Sequence, residues 1–285
     1  MPEKTSGAFV GATEQFTHFG TLQDDGKHMP NPSGHYLDSS ISQGVVGWQF
    51  NDRFSLQFAL PVINRAFKRP EGFSIQRGSV SGLGDVSLLA NARLWQYLRA
   101  DDEFSWTALA GVKFPTGDSG RLREELNETP PPPGAPESAI HGHDLALGSG
   151  SYDGIIGTGI YAAHKRFFAA GQTQYAIRSE GAIGYRYAND LVWNGGPGFH
   201  VVQTPRCTCG VQVNVSGETK GKDTFRGAKA EDTGVTAVYL GPGITFIYDR
   251  KLFADLDVDI PISVANTALQ AVPDYRIRAS VTCRF

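Results

Sequence analysis

Polar and apolar residues alternate along about a dozen segments of this chain, each long enough to form a strand. The segment that begins at Phe54 has an apolar face made of Leu56, Phe58, Leu60 and Val62. Its opposite face is polar and contains Ser55, Gln57 and Arg65. Successive side chains of a β-strand point to opposite faces, so this period of two predicts strands with one apolar and one polar face.

The last segment shows the same alternation with a higher density of charge. Its apolar face consists of Tyr275, Ile277, Ala279, Val281 and Phe285, and its polar face carries Arg276, Arg278 and Arg284. An arginine that faces lipid near the bilayer midplane costs roughly 2–4 kcal/mol. We therefore expect the apolar face to meet lipid and the arginines to point into the interior of a closed barrel.

The connections between the segments alternate between two lengths. The short ones are residues 51–53, 96–103, 164–166, 204–206 and 249–251. The long ones are residues 20–35, 68–81, 115–147, 179–190, 217–234 and 265–274. This asymmetry is typical of bacterial outer-membrane barrels. The sequence predicts an all-β fold, a transmembrane antiparallel up-and-down β-barrel of about 12 strands that forms one domain over residues 1–285, with both termini on the short-turn, periplasmic side.

Composition narrows the class of protein further. The chain has 34 Gly, 17 Phe, 10 Tyr and only 2 Met, with a net charge of −3. The near-neutral charge gives no reason to expect a nucleic-acid partner. The start, MPEKTSG, has no apolar signal-peptide core, so the alternatives are a cytosolic protein or the mature form of an exported one. The strand pattern favours a mature protein of the Gram-negative outer membrane, with the lipid bilayer and lipopolysaccharide as partners.

Three short motifs occur in order along the chain: Gly-Leu-Gly-Asp at 82–85, Pro-Thr-Gly-Asp at 115–118 and Gly-Ser-Gly-Ser-Tyr-Asp at 148–153. Together they resemble the outer-membrane proteins called the MetA-pathway of phenol degradation family, and the resemblance covers residues 82–285. It implies an outer-membrane transporter associated with the breakdown of aromatic compounds.

The motifs also place charged residues together. Asp85 and Asp153 begin strands and Lys113 ends one, so all three are expected at the long-loop end of the barrel, as a lumen-facing cluster at its mouth. The alternative is that Lys113 and the two carboxylates neutralise one another and fix the strand register. Glycines of the motifs are expected at bends or close approaches of the rim, and these are Gly82, Gly84, Gly148 and Gly150.

The last hairpin predicts a second charged set inside the barrel. Folding the chain about residues 265–274 places Asp259 near Arg278. The residues predicted to line the lumen or contact a solute are Asp85, Arg93, Lys113, Asp153, Asp255, Asp257, Asp259, Arg276 and Arg278. We expect the mixed charges to favour small dipolar solutes over strong selection for one ion sign.

Other reactive residues suggest no further chemistry. His141 and His143 have a spacing that suits one cation, but no third ligand is identifiable, so a surface loop is expected there and no metal or cofactor is predicted. Two cysteines, Cys207 and Cys209, point the same way from one strand and cannot pair with each other; with Cys283 they are expected to face lipid.

The sequence gives no indication of an enzyme. His200 is predicted to face the lumen, and no Gly-x-Ser-x-Gly motif accompanies it. The favoured function is a channel for passive passage of small solutes, with an aromatic or amphipathic class suggested by the resemblance. Any plug has to come from a loop such as 115–147 or from lumen side chains. The alternative is a structural barrel that acts as a scaffold or sheath for a partner protein or surface layer, and association with a second copy of the chain is left open.

Overall fold

The computed structural model describes residues 6–285, so part of the segment searched for a signal peptide lies outside the described residues. Its strands are, in chain order, β1 (Gly7–Asp24), β2 (Lys27–Met29), β3 (Tyr36–Gln49), β4 (Phe54–Glu71), β5 (Ser74–Leu83), β6 (Ser87–Leu98), β7 (Asp102–Lys113), β8 (Asp153–His164), β9 (Phe167–Ile177), β10 (Tyr185–Arg186), β11 (Asp190–Gln203), β12 (Cys207–Lys220), β13 (Thr224–Phe225), β14 (Ala228–Lys229), β15 (Val235–Tyr248), β16 (Leu252–Asn266) and β17 (Leu269–Arg284). Short helical turns are α1 (Gly142–Leu145) and the 3₁₀ turns Gly120–Leu126, Ala182–Gly184 and Glu231–Thr233.

The barrel wall is closed and antiparallel throughout. Each strand of the wall pairs with the next one along the chain, and β17 pairs with β1 to complete the ring. The strands β5 and β6 both pair with β4 and act as one interrupted strand, which gives a wall of 12 strands. The short strands β2, β10, β13 and β14 lie outside this ring. The predicted antiparallel β-barrel of about 12 strands is confirmed, and the periplasmic location of its termini stays a prediction.

The predicted facing of the strands is also observed. On β4, Phe58 and Val62 are 40% and 46% exposed on the outer wall, whereas Ser55 is buried on the lumen side. On β17, Val281 is 43% exposed and Arg276 is buried. The outer wall therefore presents apolar side chains and the interior holds the charged ones, as the cost of a charge in lipid requires.

Exposed aromatic side chains surround the barrel near its short turns. Trp48 and Phe50 precede one turn, Trp95 precedes the next, and Phe167 and Phe285 lie beside two others. All five side chains are about half exposed or more. Amphipathic and aromatic rings favour the boundary between headgroups and hydrocarbon. This ring of aromatics marks one edge of the apolar band.

Several of the predicted long loops are in fact strands. The segment expected as loop 68–81 forms a hairpin between β4 and β5, and loop 265–274 is replaced by a turn at 267–268 between β16 and β17. Likewise, β1 continues to Asp24 and pairs with β2. Strands that project beyond the bilayer need no apolar face, so period-two alternation stops where the membrane ends although backbone pairing continues.

The turn at 267–268 sets the register of the charged residues in the last hairpin. Asp259 lies opposite Arg276 in the β16–β17 ladder, and Arg278 lies opposite Asp257. Arg278 is thus two residues from the position directly opposite Asp259, but it contacts Asp259 diagonally at 3.0 Å, so the two residues lie close together as predicted.

One acidic residue departs from the apolar outer wall. Glu14 lies between Thr13 and Gln15, which line the lumen, so its side chain points outward. The hydroxyls of Ser40 and Ser42 donate hydrogen bonds to its two carboxylate oxygens. These donors lower the cost of placing a carboxylate on this wall.

Candidate functional site: a capped, charged lumen

The connection between β7 and β8 is the longest in the chain and folds over the long-loop end of the barrel. We call residues 114–152 the cap. It carries the first 3₁₀ turn and α1, and its apolar side chains Leu122, Ile140 and Leu145 are fully buried. Ile140 and Leu145 pack against Leu37 and Phe67 of the wall. The cap is therefore a packed part of the structure, with a small apolar core of its own.

One side of the cap is held by arginines of β4. Arg69 forms an ion pair with Glu124, with 2.8 Å between Nη2 and Oε2, and donates to the carbonyl of Ile140 at 3.1 Å. Arg65 donates to the carbonyls of Asp144 and Ala146. Because Arg65 is on the lumen face of β4, these bonds draw the cap inward.

The opposite side of the cap contacts other parts of the ring. The backbone of Ala139 accepts a hydrogen bond from Ala271 of β17, at 3.3 Å. The hydroxyl of Tyr187, in the connection after β9, donates to the carbonyl of His143 at 3.0 Å. His141 lies 3.3 Å from Asp232, in the connection after β12. Contacts on several sides of the ring show that the cap crosses the mouth of the barrel.

The base of the cap is fixed by the three predicted residues at the mouth. Lys113 Nζ lies 2.6 Å from Asp85 Oδ2 and 2.7 Å from Asp153 Oδ2. Their side chains are 12%, 7% and 0% exposed, respectively. The structure brings the three together as predicted, but under the cap instead of on an open mouth. We call this group the anchor cluster.

Backbone groups complete the anchor cluster. Asp85 accepts hydrogen bonds from the amides of Gly117, at 2.9 Å, and Ser149, at 3.0 Å. A Cβ on Gly148 would lie 2.5 Å from the backbone of Gly117, and one on Gly117 would lie 2.8 Å from the backbone of Gly84. Only glycine permits such close approach of three chain segments. The three sequence motifs therefore meet as one unit, in agreement with the expected close approaches.

A second cation extends the anchor cluster and was missed in the sequence. Arg178 lies 2.9 Å from Asp153 and 2.7 Å from Asp190, measured between nitrogen and oxygen atoms. The hydroxyl of Ser151 donates to Asp153 at 2.8 Å. Arg178 follows directly after β9, where alternation no longer indicates facing, so the pattern contained no signal for it.

The predicted charges of the last hairpin form a continuous network inside the barrel. Asp259 accepts hydrogen bonds from the Nε atoms of Arg276 and Arg278, both at 3.0 Å. Arg278 also lies 3.8 Å from Asp257. The Arg276 guanidinium stacks 4.2 Å above the ring of Tyr239. We call this group the lumen ladder; unlike these residues, Asp255 is exposed and accepts a bond from Ser280.

Below the cap the lumen contains two adjacent chambers. The middle chamber has a volume of about 310 Å³, and its wall includes Arg276, Arg278 and Glu218. The short-turn chamber has a volume of about 460 Å³. Asn91 and Thr107 line both chambers. The lining is mixed, with amide, hydroxyl and charged groups beside apolar and small residues.

Arg93 lies apart from the anchor cluster, although it shares a face with Asp85. It lines the short-turn chamber together with Arg53 and Arg284. Its guanidinium donates to Gln96 at 2.7 Å. The predicted lumen position of Arg93 therefore matches the structure, but its surroundings are those of the opposite end of the barrel.

The two cap histidines are packed into the structure, contrary to the expected surface loop: His143 is buried and the side chain of His141 is 15% exposed. The rings of His141 and His143 stack with 5.7 Å between centroids. Burial alone would lower the pKa of His141, but the carboxylates of Glu128, Asp232 and Asp144 together outweigh burial and raise the pKa to about 9. The protonated ring thus helps to hold the cap against its neighbours.

Other features add no chemistry to the site. Within residues 6–285, no group of three His, Cys, Asp or Glu side chains is placed to hold a metal ion. Cys207, Cys209 and Cys283 are free thiols. Over the same residues there is no helix with the length and apolar character needed to span a bilayer.

Three solved structures are similar to this barrel. An outer membrane channel from Pseudomonas putida F1 is 15% identical, covers 98% of this chain and 96% of its own, and has a TM-score of 0.66. The β domain of the Bordetella autotransporter BrkA is 10% identical with 98% and 100% coverage and a TM-score of 0.49. The CymD monoaromatic hydrocarbon channel is 8% identical with 98% and 88% coverage and a TM-score of 0.38.

Only the first similarity is strong enough to support an argument, and at its level of identity it supports the fold alone. No family model matches the chain, and no curated protein sequence matches it. The resemblance to the phenol-degradation family therefore stays a prediction. The closed ring, the apolar outer wall and the aromatic edge define an outer-membrane β-barrel. The predicted outer-membrane location is therefore confirmed.

Proposed function

We propose that this protein is an outer-membrane channel for the passive passage of small solutes, with the cap restricting its long-loop end. The observation that carries the proposal is the pair of neighbouring chambers, lined in part by charged and amide groups, inside a barrel whose outer wall is apolar. A barrel with a filled apolar interior would have no such chambers. We propose that the short turns and both termini are periplasmic, so that the cap faces the cell exterior.

The chamber lining bears on the class of solute. Amide and hydroxyl groups such as Asn91, Thr107 and Gln15 can bind solutes that carry hydroxyl or carbonyl groups. A pure hydrocarbon would leave these groups without partners, which costs free energy. We infer that amphipathic solutes of phenol size, with a polar group on an aromatic ring, fit this lumen better than unsubstituted hydrocarbons.

The anchor cluster has a mechanical role in this proposal. Every charged group in it is paired and almost removed from water, so it offers no free charge to a passing solute. Its function is to position the base of the cap. Of the two interpretations open from the sequence, mutual neutralisation fits the geometry better than a charged solute-selective mouth. The lumen ladder is the part that solutes would contact.

Flux through reconstituted protein tests the proposal. Proteoliposomes are loaded with a phenol-sensitive reporter, and the uptake of phenol is compared with empty liposomes after correction for its own permeation. Glucose serves as a polar solute that crosses a protein-free bilayer only slowly. We expect faster uptake with protein, and faster still for Lys113→Ala and Asp153→Ala, which release the base of the cap.

The scaffold alternative makes the opposite prediction. A barrel that only holds a partner protein or surface layer would pass neither solute, in wild type or in the two variants. If wild type and variants increased the flux equally, the protein would be a channel but the cap would not control it.

A further inference from the structure

The short-turn chamber contains a group of arginines whose charge is not balanced. Its charged lining residues are Arg53, Arg93, Arg284 and a single carboxylate, Asp52. These arginines come from a turn, from β6 and from the end of β17, which are distant in sequence. The backbone amide of Arg93 donates to the carbonyl of Arg53 at 2.7 Å, so two of them are held side by side.

Across residues 6–285, none of the three arginines forms an ion pair. The guanidinium of Arg93 donates to the neutral amide of Gln96, and that of Arg284 lies 4.7 Å above the ring of Phe253. By contrast, Arg276 and Arg278 both pair with Asp259. The chamber therefore has guanidinium donors without a charged acceptor.

We propose that the short-turn chamber is a binding site for small organic carboxylates and makes the channel prefer anions; this deepens the proposed function and rests on the chamber being part of the passage. A carboxylate would accept charge-assisted hydrogen bonds from two of the guanidinium groups. Phe9 in the same lining offers an aromatic surface for the remainder of the solute. The volume of about 460 Å³ is sufficient for a benzoate-sized anion with water.

The position of this site gives it a role in transport. The middle chamber contains both signs of charge in paired form, so it does not select strongly. The short-turn chamber has three cations against one anion, in a narrow space with low-dielectric walls, where the field of unpaired charges is focused. Anions are concentrated at this end, and cations are repelled.

Ion selectivity is measured by the reversal potential of reconstituted protein under a potassium chloride gradient. The test variant is Arg53→Gln/Arg93→Gln/Arg284→Gln. The control variant, Arg99→Gln/Arg166→Gln/Arg206→Gln, removes the same charge from short turns outside the chamber lining. We expect anion preference in wild type and in the control, and its loss or reversal in the test variant.

A binding measurement makes the site testable even without current. Titration calorimetry of the detergent-solubilised protein compares benzoate with benzyl alcohol, which has a similar shape and no charge. We expect benzoate to bind about tenfold or more tightly than the alcohol in wild type, and this difference to vanish in the test variant.

The two measurements separate the site from the channel. Unchanged selectivity in the test variant, or equal binding of benzoate and benzyl alcohol by wild type, would overturn the carboxylate site and leave the channel standing. Absence of current together with charge-dependent benzoate binding would support the site and overturn the proposed passage.

Discussion

The two ends of the lumen treat charge in opposite ways. At the long-loop end, Lys113 lies between Asp85 and Asp153 with almost no access to water, and every group has a partner. At the short-turn end, Arg93 and Arg284 line a chamber and form no ion pair with a carboxylate. Paired buried charges specify geometry, whereas unpaired charges in a chamber are available to a solute. We therefore infer that the long-loop end has a structural role and that the short-turn end determines solute selectivity.

The largest expected effect comes from breaking the anchor cluster. Lys113→Met removes the cation and leaves two buried carboxylates facing each other, which should cost roughly 3–5 kcal/mol in the free energy of unfolding. Arg93→Met, at the other end, should cost less than about 1 kcal/mol because no ion pair is lost. Both are measured by urea unfolding in detergent, followed by tryptophan fluorescence.

Equal losses in these two variants would contradict the comparison. A Lys113 that is accessible to water would also give equal losses of stability. The reactivity of Lys113 toward an amine-modifying reagent therefore provides a second check. We expect it to be protected until the cap is released.

A steric change at Gly148 should also disturb the long-loop end of the barrel. Gly148→Ala places a Cβ 2.5 Å from the backbone of Gly117, and we expect a loss of about 1–3 kcal/mol through overpacking. Displacement of the cap should loosen the chain around Arg123, which is already exposed, and speed limited trypsin cleavage there. Gly44→Ala is the matched control, because its nearest atom would be 4.0 Å away. Cleavage at equal rates in both variants would show that the close approach does not hold the cap.

The lumen ladder lies between the two ends and should respond less. Asp259→Asn removes the charge shared by Arg276 and Arg278 but keeps an acceptor oxygen, and Asp257 and Glu218 remain nearby. We expect a loss of about 1–2 kcal/mol, against almost none for Asp255→Asn, whose side chain is exposed. A larger loss for Asp255→Asn would mean that the observed register of β16 and β17 is wrong.

The smallest effect is a dependence of the cap on pH. The folded pKa of His141 is raised to about 9, so the stability from its ion pairs is fully present below the unfolded pKa of about 6.5 and is lost as the pH rises through about 9. Conductance should therefore increase modestly between these values. His141→Gln should abolish the increase, and His164→Gln, on an exposed short turn, should leave it unchanged. A pH response that persists in His141→Gln would assign it to another group.

The sequence predicted the position of the lumen ladder and the meeting of the three residues of the anchor cluster. The facing of β16 and β17 followed from alternation, because a charged side chain in lipid costs free energy. This reasoning placed Asp259, Arg276 and Arg278 in the lumen. The meeting of Asp85, Lys113 and Asp153 followed from their positions at strand ends. Both inferences depend on a period of two that the membrane enforces.

The path of the cap was not predictable in the same way. Residues 114–152 have no such period, and their position depends on Arg65 and Arg69, which precede the cap by a long stretch of chain. Water imposes no alternation on the hairpins beyond the membrane, so their sequences do not distinguish them from loops. The packing of His141 and His143 likewise depends on contacts with distant connections.

The central claim is that the cap, fixed by the anchor cluster, restricts a passage that continues through the two chambers. Single-channel conductance in a planar bilayer near pH 7, with wild type beside Lys113→Met, tests it most directly. The claim predicts small, infrequent openings in wild type and larger, longer ones in Lys113→Met. Equal conductance in both would contradict control by the cap, and the absence of current in both would contradict the passage itself.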